Sequence, residues 1–155
     1  MKKYVRTKLI FKAKPQRIAE IINQLQKDDE VICFDNIISL NGEKMLQKWN
    51  IEEKPEELDI IIYHEGSEVE YSFDTLKNVP LTIYEELSRR YIDTDMTINY
   101  AYEEYGENCG QYRKAPGSEK LVPQQIDDPF VFACEIWDID PDEQTIEESI
   151  NYYEE

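Results

Sequence analysis

Six carboxylates near the C-terminus are the side chains of this sequence best suited to binding chemistry. No Lys, Arg or His interrupts residues 138–148, which contain them. The six are Asp138, Asp140, Asp142, Glu143, Glu147 and Glu148. Their spacing begins like a calcium loop, but Glu143 stands where that loop needs glycine and Ser149 where it needs a bidentate Glu. Asp140 before Pro141 instead predicts the capped start of a helix over 140–153.

The charges are distributed unevenly along the 155 residues, whose formal net charge is −17. Eleven acidic residues and no basic residue follow Lys120. A field of this sign opposes DNA, RNA and anionic membranes over most of the surface. Solubility is the more general explanation of such a surface. The sharper prediction is a non-enzymatic interaction protein whose six C-terminal carboxylates bind a basic, nucleic-acid-handling protein as a mimic of nucleic acid.

The N-terminal region has the opposite charge, with eight basic residues and one acidic residue in 1–27. Seven of its cations fall on a predicted first strand and helix: Lys2, Lys3, Arg6, Lys8, Lys12, Lys14 and Arg17. This pattern leaves two alternatives to the acidic-surface hypothesis. The cations bind nucleic acid directly, or they pair with the acidic face of a second copy and form a homo-oligomer.

Residues suited to catalysis or metal binding are few and scattered. His64 is the single histidine, and Cys33, Cys109 and Cys134 form no CxxC pair. We therefore expect no catalytic site, metal or cofactor. Three separated cysteines favour reduced thiols in the cytoplasm. No apolar stretch approaches the roughly 18 to 20 residues that cross a bilayer, so we expect no membrane span.

Apolar periodicity predicts the elements that must position these residues. Alternation predicts strands at 4–12, 68–74, 96–102, 109–114 and 130–137, and residues 31–40 look extended and buried. Apolar stripes predict one helix after Pro15, a second after Pro80 and a short one in 43–51, with Met45, Leu46 and Trp49 inward. Residues 59–63 suit either a strand or a helix.

Two β-α-β blocks separated by a middle insertion at 41–58 predict an α+β sandwich. We expect one domain over 1–155, with a mainly antiparallel sheet, two helices on one face and the C-terminal helix at 140–153.

From about residue 31 onward, three segments carry a resemblance to a known family. Residues 34–40 are similar to its F-x-x-I-I stretch, residues 80–91 to its LS-x-x-(Y/F) helix, and residues 108–112 to its N-C-G-x-Y strand entry. The chain thus resembles the YubB ferredoxin-like domain family, also called api92-like proteins, although residues 63–67 lack that family's usual Trp. The resemblance implies a ferredoxin-like fold and a plasmid or phage origin, and it supplies no catalytic residue.

Overall fold

A computed structural model describes residues 3–103 and 108–142 of the chain. Its strands are β1 (Tyr4–Lys12), β2 (Glu56–Tyr63), β3 (Glu68–Leu76), β4 (Asp95–Tyr102), β5 (Cys109–Lys114) and β6 (Val122–Gln124). Its α-helices are α1 (Pro15–Leu25), α2 (Phe34–Ile37), α3 (Met45–Trp49), α4 (Leu81–Arg90) and α5 (Pro129–Ile136). The strands form one antiparallel sheet in the order β2-β3-β1-β4-β5-β6, which confirms the predicted α+β class.

Alternation along β1 gives the sheet two different faces. Val5, Leu9 and Phe11 point into the main core and are fully buried. Arg6, Lys8, Ile10 and Lys12 point to the opposite side, which we call the open face. In the register with β3, Arg6 lies opposite Asp74 and Lys12 lies opposite Glu68, so basic and acidic side chains share the open face. Strand β1 therefore separates an apolar core from a charged surface.

Helices α1 and α4 cover the core face, as their apolar stripes predict. Ile18, Ile21 and Leu25 of α1 are buried in the same cluster as Ile83 and Leu87 of α4. Pro15 occupies the first turn of α1, where its missing N–H leaves no helical hydrogen bond unmade. Each helix buries one stripe against the sheet, and this packing rather than intrinsic propensity stabilises helices of 11 and 10 residues.

The prediction of an extended segment at 31–40 is wrong, because the structure forms the single-turn helix α2 within it. Phe34 and Ile37 are one turn apart and both are buried. The Asp35 carboxylate accepts the amide of Leu40, and the Asn36 amide group donates to the carbonyl of Gln26. Such local side-chain hydrogen bonds compete with strand pairing, and they favour a turn here.

The prediction of a last strand at 130–137 is also wrong, because these residues form α5. Asp128 is the N-cap: its carboxylate accepts the amide of Val131 at 3.2 Å, and Pro129 follows in the first turn. A short apolar run fits a buried strand and a buried helix equally well, and only the cap distinguishes them. Helix α5 packs on the open face, where Ala133 and Ile136 contact Ala101 of β4.

The middle of the chain follows the prediction in part. Helix α3 lies within 43–51, but it buries Trp49 while Leu46 is 47% exposed, so the inward placement of Leu46 is wrong. Residues 59–63, which suit either element by sequence, lie in β2. Since β2 begins at Glu56, the last three residues of the expected 41–58 insertion belong to the sheet.

Within residues 3–103 and 108–142, no helix is long and apolar enough to span a membrane.

Candidate functional site

The basic side chains of β1 are engaged by carboxylates of the same chain. Arg6 donates two hydrogen bonds to Asp74, at 3.0 and 3.2 Å, and its guanidinium lies 4.2 Å from the centre of the Trp137 ring. Lys12 Nζ lies 3.7 Å from Glu68 Oε1. Cross-strand pairs of opposite charge stabilise a sheet, and here they also neutralise its cations.

Helix α1 repeats this pattern outside the sheet. Arg17 donates to both carboxylate oxygens of Asp93, at 2.9 and 3.1 Å, and to Glu20 at 2.9 Å. The hydrogen bond with Arg17 is the largest cause of a lowered pKa at Asp93. Of the other predicted cations, Lys3 and Lys14 are exposed, and Lys2 lies outside the described residues.

Three of the six predicted C-terminal carboxylates lie within the described residues, and all three are exposed. Asp138 follows α5 and places Oδ1 3.3 Å from Lys8 Nζ. Asp140 accepts the amide of Asp142 at 2.9 Å, which is the hydrogen bond expected of an N-cap. Glu143, Glu147 and Glu148 lie outside the described residues, as does most of the helix predicted at 140–153. The structure thus places Asp138, the first residue of the acidic segment, against the basic strand.

A cavity of about 380 Å³ opens on the open face beside this contact. Its wall includes the carboxylates of Asp59, Glu70 and Asp138, together with Arg6 and Lys8. Burial raises the pKa of Glu70; Lys8 opposes that shift, and the charges of Asp138, Glu68 and Asp59 add to it. Both cations are paired already, so negative charge dominates the cavity.

A larger cavity, of about 630 Å³, lies between α2 and the start of β2. Trp49 and Cys33 line it, and Asp28, Asp29 and Lys54 are at its rim. Burial is the largest cause of a raised pKa at the Cys33 thiol. A thiol in this state is a poor nucleophile and a poor metal ligand, which favours a structural role for Cys33.

His64 stands in an exposed turn. Its side chain is 72% exposed, and Nε2 lies 3.8 Å from Glu68 Oε1. Within the described part of the chain, no three His, Cys, Asp or Glu side chains come together in a group that could hold a metal ion. The geometry around His64 supplies no activated nucleophile.

Sequence reasoning missed the partners that hold these cations. Asp74 and Glu68 stand at alternate positions of β3 with buried residues between them, so the sequence predicts that they share one strand face. Their position opposite Arg6 and Lys12 depends on the β1–β3 register, which a single sequence does not contain. The predicted strand at 130–137 does not place Trp137 over Arg6, and this contact depends on the helix α5 that the structure forms there.

No protein-family model, curated protein or solved structure matches this chain. Similarity to the YubB ferredoxin-like family stays a prediction from the three short motifs.

Proposed function

We propose that this chain is a non-enzymatic acidic interaction protein that binds a basic protein of the nucleic-acid-handling kind. The observation that carries the proposal is the internal pairing of the N-terminal cations. Arg6, Lys8, Lys12 and Arg17 each contact a carboxylate of their own chain. The remaining surface therefore presents the excess of carboxylates behind the net charge of −17. Such a surface steers and selects a basic partner.

Asp138, Asp140 and Asp142 are the described part of the proposed contact, and Glu143, Glu147 and Glu148 continue it along the chain. Carboxylates spaced over a rigid sheet and helix resemble the phosphates of a nucleic acid to an Arg- and Lys-rich groove. Because Asp138 also contacts Lys8, a partner's cation would share this carboxylate or take the place of Lys8.

The same pairing weighs against the alternative, a nucleic-acid-binding or self-associating module that uses the N-terminal cations. To contact a phosphate or another copy, Arg6 would have to give up two hydrogen bonds to Asp74. Breaking this largely buried pair would leave Asp74, which is 8% exposed, without its charge partner.

We also propose that the fold is ferredoxin-like. The order of elements β1-α1-β2-β3-α4-β4, with strand order β2-β3-β1-β4, supports this proposal. On this view α2 and α3 are inserted between α1 and β2, and β5 and β6 extend one end of the sheet. Helix α5 packs on the open face. Membership of the YubB family, with its plasmid or phage setting, is part of the same proposal and stands on the sequence motifs.

The experiment is an affinity pull-down from bacterial lysate, with and without nuclease, read by mass spectrometry. One variant replaces the six C-terminal carboxylates by their amides. A matched variant neutralises six exposed carboxylates elsewhere: Asp28, Asp29, Glu43, Glu52, Glu119 and Asp127. We expect the pull-down to capture a basic protein even after nuclease treatment. The first variant should no longer capture it, whereas the second variant should.

Two results would contradict the proposal. Equal retention by both variants would show that the C-terminal carboxylates are not the contact. Capture that disappears with nuclease, and that falls steeply with salt, would favour nucleic-acid binding through the N-terminal cations.

A further inference from the structure

The outer edge of β2 has no strand beside it among the described residues. Strand β2 ends the sheet and pairs with β3 on its other side. A strand at a sheet edge presents backbone N–H and C=O groups to which another extended chain can bind. The opposite edge, β6, has three residues and contains Pro123, so it is a poor template for pairing.

Exposed apolar side chains accompany this free edge. Leu58, Ile62 and Tyr63 are 40, 57 and 38% exposed, and all three belong to β2. Single exposed apolar residues are ordinary on a protein surface. Here Leu58 and Tyr63 lie on the open face and Ile62 on the opposite face, so exposed apolar side chains flank the edge on both faces of the sheet.

The cavity of about 380 Å³ adjoins the same strand on the open face. Leu58, Asp59, Ile61 and Tyr63 of β2 all line it, with Glu70 of β3 beside them. A strand added to β2 would direct every second side chain toward this cavity, because side chains alternate between the two faces of a sheet. On this face the Asp59 carboxylate, which also accepts the amide of Ile60 at 2.9 Å, and Glu70 behind Ile61 would attract long cationic side chains. Ile62, on the other face, would contact the residues between them.

We propose that the outer edge of β2 binds an extended segment of a basic protein as an additional strand, with Lys or Arg toward Asp59 and Glu70 alternating with apolar residues toward Ile62. This inference rests on the proposed function: it adds a second contact, across the cavity that Asp138 also lines, and it gives the partner's sequence pattern. The charge of the chain indicates which partner binds at this edge. A second copy would also carry a net charge of −17 and be repelled, whereas an extended cationic segment would be attracted. Backbone hydrogen bonds would supply affinity, and the alternating side chains specificity.

The test uses a synthetic peptide of alternating Lys and Val of about eight residues, the length of β2. Fluorescence anisotropy measures its affinity, and hydrogen exchange follows the backbone amides of the full chain. One control peptide has the same residues with all Lys before all Val, and another has alternate amides N-methylated to block strand pairing. Asp59→Lys and Ile62→Lys alter the site. Glu119→Lys and Ile92→Lys are matched controls at exposed positions outside it.

We expect the alternating peptide to slow exchange of amides in β2, and each control peptide to bind at least about tenfold more weakly, as the loss of several backbone hydrogen bonds implies. Asp59→Lys and Ile62→Lys should weaken binding, whereas the matched controls should not.

Three outcomes would overturn the inference. Equal binding of all three peptides, without slower exchange in β2, would leave an acidic interaction protein whose contact lies elsewhere. Binding of none of the cationic peptides would contradict this inference alone, because the proposed function is decided by the pull-down with the C-terminal variant. Concentration-dependent dimerisation that slows the same amides without peptide would assign the edge to a second copy.

Discussion

Lys8 Nζ lies 3.3 Å from Asp138 Oδ1, although the two residues are 130 positions apart. This contact joins the basic first strand to the acidic segment that follows α5. Asp138 is a positive-φ residue, with φ of 56°, and its side chain is 74% exposed. The carboxylate of this ion pair is therefore accessible to solvent and to a partner, whereas the Lys8 side chain is 18% exposed.

A double-mutant cycle on Lys8→Met and Asp138→Asn should give a small coupling free energy. Exposed ion pairs contribute about 0.2–1 kcal/mol, because water screens the charges and two side chains lose freedom. Urea unfolding of the four proteins measures the coupling, with the cycle repeated at high salt. A coupling far above this range that persists in salt would mean that the pair is shielded from solvent, and it would make Asp138 a structural residue.

Tyr84 and Tyr71 are both buried, but we expect the loss of their hydroxyl groups to change the free energy of unfolding in different ways. The hydroxyl groups of Tyr84 and Thr7 share a buried hydrogen bond of 2.5 Å. The hydroxyl of Tyr71 has no hydrogen-bond partner among the described residues. Burial is the largest cause of the raised pKa of each phenol.

We expect Tyr84→Phe to lower the free energy of unfolding by about 1–3 kcal/mol, because the buried Thr7 hydroxyl loses its partner. Tyr71→Phe should be neutral or stabilising, since it removes a buried polar atom that makes no bond. Urea unfolding compares both variants with the parent chain. A larger loss from Tyr71→Phe than from Tyr84→Phe would contradict this assignment of hydrogen bonds.

Glu70 should make stability depend on pH. Its pKa is raised in the fold, chiefly by burial, so the native state binds its proton more tightly than the unfolded chain does. Stability from this group is therefore complete below its unfolded pKa, and it is lost as pH rises through the higher folded pKa. Glu70→Gln should leave stability unchanged in acid and increase it at neutral pH.

The measurement for Glu70 is a series of urea unfolding curves between roughly pH 4 and pH 8, a range that begins near the ordinary Glu pKa. The parent and variant curves should separate as pH rises. Glu119→Gln, at an exposed position, is the control and should track the parent. A Glu70→Gln variant that is less stable than the parent at neutral pH would show that attraction to Lys8 outweighs burial.

Asp128 should contribute more to the free energy of unfolding than its neighbour Asp127. Its carboxylate accepts the amide of Val131 and caps α5, whereas Asp127 is exposed and outside the helix. We expect Asp128→Ala to lower the free energy of unfolding by about 1 kcal/mol, the usual effect of losing an N-cap. Asp127→Ala removes the same charge and should change stability less. Thermal unfolding of both variants measures the difference, and equal effects would mean that charge rather than capping matters.

Local pattern was sufficient for the central elements of the fold. Strands β1, β3 and β4 and helices α1 and α4 all occur where alternation or an apolar stripe predicts them. In each of these elements one face is apolar and the other polar, so periodicity reports burial directly. The two wrong predictions of strand structure, at 31–40 and 130–137, concern apolar runs that do not alternate with polar residues. In both runs, local capping and turn hydrogen bonds stabilise a helix instead.

The α+β class, the net charge of −17 and the opposite charges of the N- and C-terminal regions follow from composition and periodicity. The contact between Lys8 and Asp138, the hydrogen bonds from Arg6 to Asp74 and the position of β2 at the edge of the described sheet appear only in the folded chain. Composition and periodicity are local properties. Strand register and the position of α5 arise from packing between residues distant in sequence, and these contacts decide which charges are neutralised within the chain and which face solvent.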